Sequence, residues 1–337
     1  MIQAPLVLQA EEIPSSAKRV DALDDALTEL FFIDNPIFKR GMPGVEDKIK
    51  EYVNSKNEEG IWIYFPWRDL AIRTLSEDLY FLLRTSRNRN IITHEEQLKY
   101  RAGKIGVAGL SVGSWVVSAL VSSGGPQTLK IADFDVVEIT NLNRIQAKLT
   151  DVKNPKIEVA AREVWELDPF AKLHLWDKGV SADTLRDFII GEPRLDVFVD
   201  AMDSLDLKIL SRFICQENRV PLVMGTDNGE RVILDVERFD LEPNRPIFHG
   251  VVDISIDEVK KIDFKRWVEL ATKIVGPENL DGRMKLSLAE IGKTLPAVPQ
   301  LGPTAAMAGS AVAYAIRRII TGQDMPSRRY FLEIKSQ

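Results

Sequence analysis

The residues best suited to chemistry stand in short stretches along the middle of the chain. Lys104-Ile-Gly-Val-Ala-Gly-Leu-Ser-Val-Gly-Ser114 places Gly109, Ser111 and Gly113 in a loop whose backbone N–H groups can meet a phosphate where a helix begins. Asp133 follows Gly113 by 20 residues, the place from which a carboxylate reaches both hydroxyls of a ribose. Arg144 offers a guanidinium fork, and Lys156, in Asn154-Pro-Lys156, a point charge at the opening of a helix; both suit phosphate oxygens. Asp203, closing Asp200-Ala-Met-Asp203, is the kind of ligand that magnesium takes alongside phosphate oxygens. The glycines and Asp133 would serve a dehydrogenase's dinucleotide, or plain strand-to-helix packing, equally well. A dehydrogenase would leave Arg144, Lys156 and Asp203 without work; taken singly, Arg144 or Lys156 also reads as a solvated surface charge, and it is their occurrence together in this order that points to a triphosphate and its metal.

The elements that must hold these residues are legible from residue 104 onward. Short apolar runs alternate with helical patterns there, which predicts a parallel sheet with crossover helices. Strands are expected at 104–108, 128–132, 173–176, 195–199 and 222–225, and helices near 112–123, 155–167, 182–190 and 205–218. Ligand chemistry belongs at the carboxyl ends of such strands. Residues 231–239 alternate and predict antiparallel strands, whereas 241–300 takes no element assignment. Residues 303–322 are Ala-rich, apolar on nearly all sides and closed by Arg317, Arg318 and a glycine, which describes a buried helix with a cationic last turn. Ahead of the sheet, residues 1–98 show helical periodicity at 20–32 and 69–84 and no clear strand alternation. A mainly helical N-terminal region, 1–98, and a nucleotide-binding domain, 99–337, are therefore expected.

The ordered set of glycine loop, Asp133-Phe-Asp135, Asn141-Leu-Asn-Arg144, Pro155-Lys156 and Asp200-Ala-Met-Asp203 resembles the ThiF, MoeB and ubiquitin-activating-enzyme superfamily over roughly residues 85–325. The resemblance implies a Rossmann-like, doubly wound α/β fold and an adenylating enzyme that activates a carboxylate with ATP and Mg2+. It implies Asp133 at the ribose, Asn141 and Arg144 at the phosphates, Lys156 near the α-phosphate and Asp203 at the metal. Asp135 is assigned to the nucleotide site by its motif, and both it and Asp200 stay open between site and structural roles. Relatives carry an arginine shortly before the glycine loop that crosses a dimer interface to the neighbouring ATP; Arg87 and Arg89 match it, which implies a homodimer. The chain departs from the family in having Ser111 at a glycine position, Lys208 for an arginine, Asn154 for a lysine, and no zinc cysteine pairs, so no zinc is expected.

Composition narrows the rest. With 44 Lys+Arg against 50 Asp+Glu in 337 residues, the net charge of -6 argues against a nucleic-acid partner. No apolar run approaches the roughly 18 residues of a membrane span, and the first residues lack a signal-peptide pattern, so a cytoplasmic protein is expected. The single cysteine, Cys215, lies within a helix pattern and reads as a small core residue rather than a thioester nucleophile. His94, His174 and His249 form no metal pattern, with His249 open as a site residue. Trp62, Tyr64, Phe65 and Trp67 read either as core or as part of a peptide-recognition element. The latter arrangement resembles ThiF-like enzymes that modify ribosomal peptides, such as that of pantocin A biosynthesis, where a glutamate side-chain carboxylate is activated. A peptide or small-protein substrate is thus expected, with sulfur-carrier activation, tRNA-nucleoside dehydration, an NAD-dependent oxidoreductase and a non-catalytic scaffold as the other readings.

Overall fold

The structure is a computed structural model that describes residues 2–56, 60–259, 262–280 and 282–334. The chain divides into two compact units, one of residues 1–97 and 165–170, the other of 98–164 and 171–337.

In the first unit a four-stranded sheet runs in the order β1-β3-β4-β2, with β1 at Leu6–Leu8, β2 at Lys18–Asp21, β3 at Gly60–Phe65 and β4 at Leu70–Leu75. Around it stand α1 (Leu23–Asp34), α2 (Val45–Lys56), α3 (Glu77–Arg84) and the start of α4 (His94–Ala102). The helical pattern expected over 69–84 is corrected: its first half is β4, antiparallel to β3. Ala71 and Leu75, the buried positions, are four apart, a spacing that fits both a helix turn and every second pair in a strand. Ile72 and Thr74 between them are β-branched, and the turn through Asp69 (φ 45°) closes a hairpin with β3, so the strand wins. Helix α1 likewise begins at Leu23 rather than Val20, which belongs to β2.

The second unit is built on a seven-stranded sheet in the order β11-β10-β9-β8-β5-β6-β7. Strands β5 (Lys104–Ala108), β6 (Thr128–Ala132), β7 (Lys172–Trp176), β8 (Val197–Asp200) and β9 (Leu222–Asn228) are parallel. Strands β10 (Arg231–Glu237) and β11 (Arg328–Leu332) extend the edge antiparallel. Helices α5 (Val112–Ser122), α6 (Lys156–Leu167), α7 (Leu185–Ile190) and α8 (Leu205–Asn218) make the crossovers. The result is a doubly wound, Rossmann-like α/β sheet whose winding reverses between β5 and β8, where a crevice opens at the strands' carboxyl ends. The stretch left unassigned by sequence contains α9 (Ile256–Val259), α10 (Phe264–Val275) and α11 (Gly282–Glu290).

Helix α12 (Gly302–Thr321) is the expected Ala-rich helix, and it crosses α5 so closely that a Cβ on Gly309 would lie 2.4 Å from Trp115 Cβ. Small residues at 305, 308 and 309 allow that approach, while Val312 and Ile316 are fully buried, each worth about 1.5–3 kcal/mol of transfer free energy. This packing braces the back of α5 and so fixes the N-terminus that α5 presents to the crevice.

Candidate active site

The β5–α5 loop and the β8–α8 turn meet at the reversal point. Gly109 adopts φ +91°, and a Cβ there would come within 2.1 Å of Ala201 O, so glycine is required for the two strand ends to touch. Ser111 precedes α5 without making a side-chain capping bond, which leaves the first amides of that helix for an anion. Asp133, at the end of β6, is buried and accepts from Leu110 N at 2.7 Å and from Asp135 N at 2.7 Å. Burial pushes its carboxyl above the ordinary value, while the two backbone donors and nearby Lys156 pull the other way. A recess of about 230 Å³ is lined by Gly109, Ser111, Asp133, Asp135, Lys156 and Asp203.

A larger cavity of about 640 Å³ is lined by Ser111, Asp135, Asn141, Arg144, Lys156 and Asp203 together with Lys208 and Asp227. Lys156 Nζ lies 2.8 Å from Asp135 Oδ2, so these two residues act as a pair. Asn141 is buried and locks the turn Ile139–Asn141, its Oδ1 accepting from Glu138 N. Arg144 Nη1 donates to Thr140 O at 2.8 Å and Asn143 Oδ1 at 3.0 Å, while its buried Nε has no acceptor among the described residues. Asp203 is exposed at the cavity wall. Among the described residues no group of three or more His, Cys, Asp or Glu is placed to hold a metal ion on its own.

The cavity's remaining wall comes from the stretch that sequence reasoning could not fold: Trp267, Ala271, Ile274 and Val275 of α10, with Val298 and Gln300 beyond α11. Asp227, near the end of β9, was missed as well. Its place in Gly225-Thr-Asp-Asn228, at the carboxyl end of a parallel strand, is the signal that could have found it.

Asp200 proves to be structural. It is fully buried, bonded by Arg212 Nη1 at 2.7 Å and Lys208 Nζ at 3.1 Å, and Arg212 Nε also lies 2.8 Å from Glu237 Oε2. Burial alone would raise its carboxyl, but Lys208 and Arg212 outweigh that and hold it below the usual range. The Arg212 guanidinium also stacks on Phe248, 3.5 Å from the ring centre. Lys208 thus reaches the cavity from a fixed base. Cys215 is fully buried and its thiol is pushed well up by desolvation, the condition of an inert core thiol. His249 bonds Asp235 at 3.1 Å and is absent from the cavity lining, and His174 and His94 are exposed. Arg87 and Arg89 are exposed in the first unit, around the short turn Ser86–Asn88, and do not line this cavity. In that unit Trp62 and Tyr64 pack on Ile13, Ala17 and Ala71, and Trp67 packs beside Trp165.

Residues 85–337 match the ThiF family. The chain belongs to the ThiF family. ThiF proteins are ATP-dependent adenylating enzymes, and their match takes in the whole second unit. Uncharacterized protein MT1398 of Mycobacterium tuberculosis is 36% identical over 276 residues, which is 82% of this chain but 38% of that protein. The molybdopterin-synthase adenylyltransferase of Haemophilus influenzae is 25% identical over 48% of this chain and 71% of its own length. Among solved structures, PaaA superposes with a TM-score of 0.50 (19% identity, 90% of this chain, 87% of that one). Escherichia coli tRNA N6-threonylcarbamoyladenosine dehydratase with ATP gives 0.53 (20%, 73% and 96%), and E. coli MccB with MccA-N7isoASN gives 0.52 (14%, 92% and 86%). At these identities the structures share the fold.

Proposed function

We propose that this ThiF protein forms an acyl-adenylate from ATP and a carboxylate carried by a peptide or small protein. The observation that carries the proposal is the convergence of Arg144, Lys156, Lys208 and Asp203 on one cavity at the reversal point, beside Asp133 and the glycine loop. An NAD-dependent oxidoreductase would leave those charges without work.

Asp133, oriented by two backbone amides, has lone pairs left to accept from ribose hydroxyls. The amides that open α5 and the side chains of Arg144 and Lys156 neutralise phosphate charge, with Lys156 exchanging its bond to Asp135 for one to phosphate. Asp203 would hold Mg2+, which supplies positive charge to phosphate oxygens as pyrophosphate leaves. Trp267, Ala271, Ile274 and Val275 of α10 give the acyl substrate an apolar wall. Buried Cys215 has no route to the acyl group, which favours direct attack on the adenylate over a thioester.

The fold shared with MccB, solved with MccA-N7isoASN, supports a peptide substrate, and the first unit is proposed to help bind it. Within this class, activation of a glutamate side chain, as in pantocin A biosynthesis, is the specific case proposed. Arg87 or Arg89 is proposed to act across a homodimer. If so, its alanine variant regains activity when mixed with Lys156→Ala under subunit exchange, and no rescue would remove that role. The primary test is pyrophosphate release with MgATP against a panel of peptides, sulfur-carrier proteins and modified tRNA. Release with peptides supports the proposal; release with tRNA alone would replace it, and stabilisation by NAD instead of MgATP would remove adenylation altogether.

A further inference from the structure

The larger cavity carries charges of both signs. Arg144, Lys156 and Lys208 line it together with Asp227, which stands on β9, and with Trp267, Ala271, Ile274 and Val275; Arg144 is near enough to Asp227 to favour its charged form, while Asp203 opposes it. Asp227 is half-buried, and among the described residues no cation forms an ion pair with it. Besides its own backbone N–H, one neutral side-chain donor sits on it: Gln300 Nε2, at 3.2 Å from Oδ1 and 3.0 Å from Oδ2. Gln300 is itself held through its main chain, since its carbonyl accepts from Asn143 Nδ2 at 2.9 Å. Its side-chain amide can therefore swing away without releasing the segment. A carboxylate with a displaceable neutral donor gains when that donor is exchanged for a charged one, because charge-assisted hydrogen bonds are about twice as strong as neutral ones.

We infer that Asp227 is a specificity residue that binds a protonated nitrogen carried by the acyl substrate, so that the substrate class is a zwitterion: a carboxylate for activation and an ammonium a few methylenes away. The ammonium displaces the Gln300 amide and pairs with Asp227, the linking methylenes lie on α10, and the carboxylate points toward Arg144 and Lys156. Desolvation, which raises the Asp227 carboxyl, is relieved by such a partner. This inference rests on the adenylation reading for the role of the carboxylate end, though not for the binding of the nitrogen.

The test uses two probes of matched length, 6-aminohexanoate and heptanoate, titrated calorimetrically into the full chain with and without MgATP. The wild type should bind 6-aminohexanoate at least about tenfold more tightly than heptanoate. Asp227→Asn should abolish that preference, and Gln300→Ala, which removes the competing donor, should tighten 6-aminohexanoate several-fold. Equal affinity for the two probes, no binding of 6-aminohexanoate, a preference that survives in Asp227→Asn, or weaker binding in Gln300→Ala would each overturn the inference. Titration of MgATP alone reads the adenylation proposal separately: loss of nucleotide binding strikes that proposal, and probe preference without nucleotide still decides the role of Asp227.

Discussion

The two sides of the cavity are made by different means. On the phosphate side, β5, β6 and β8 end together, and backbone geometry does the positioning: Gly109 touches Ala201, and Asp133 takes amides from Leu110 and Asp135. On the far side, Trp267, Ala271, Ile274 and Val275 belong to a helix outside the parallel sheet, and Asp227 is held by the side chain of Gln300. Strand ends locked by a sheet give a site little freedom to vary, whereas a helix laid over its mouth can change residues without disturbing the sheet. The nucleotide side should therefore govern whether chemistry occurs, and the α10 side what it occurs on.

The largest effect that would break this division lies on the phosphate side. Lys156→Ala or Asp203→Ala should lower substrate-dependent AMP formation by about 100- to 1,000-fold without unfolding the protein, because these charges act as charge develops in transfer. Near-normal turnover in both, with circular dichroism unchanged, would dismiss the assigned site.

Arg212 underlies the same side without entering the cavity. Arg212→Met leaves Asp200 and Glu237 buried without their guanidinium and should cost about 3–5 kcal/mol in urea unfolding. The sign of the pH dependence follows from Asp200, whose carboxyl lies below its ordinary 3.8 in the fold. Below that value the unfolded state binds the proton more readily. This contribution to stability is thus complete above the ordinary value and lost as pH falls through the depressed one. In Arg212→Met the acid slope should be shallower; an unchanged slope would show that Lys208 alone holds the carboxylate.

A smaller effect sharpens the comparison from the other side. Trp267→Ala should raise KM for the accepted carboxylate about tenfold through lost apolar contact while leaving the Kd of ATP unchanged. Equal changes in both would mean that α10 serves the nucleotide too. Least of all, Cys215→Ala should keep activity and lose about 1 kcal/mol of stability. Loss of acyl transfer with adenylation intact would return a thioester step to the mechanism.

Sequence alone determined the parallel sheet and the residues at its strand ends, because a fully buried strand must be a short apolar run and a strand's exit must be polar or glycine. Lys104–Ala108, Thr128–Ala132 and the helix Leu205–Asn218 match the structure residue for residue. The N-terminal sheet escaped, since Ala71 and Leu75 suit either period and exposed strands such as Lys18–Asp21 leave no apolar mark. Asp200 and Asp203 are three residues apart and of one type, yet one is sealed with Arg212 and the other open to the cavity. Only the tertiary structure could divide them, because a carboxylate's role depends on which partners and how much water surround it. The same holds for α10 and Gln300: Asp263 and Gly276 mark the ends of that helix locally, but nothing in its apolar groups or in the Gln300 amide marks a site, and they become part of one only when a distant segment of chain is folded across the mouth of the sheet.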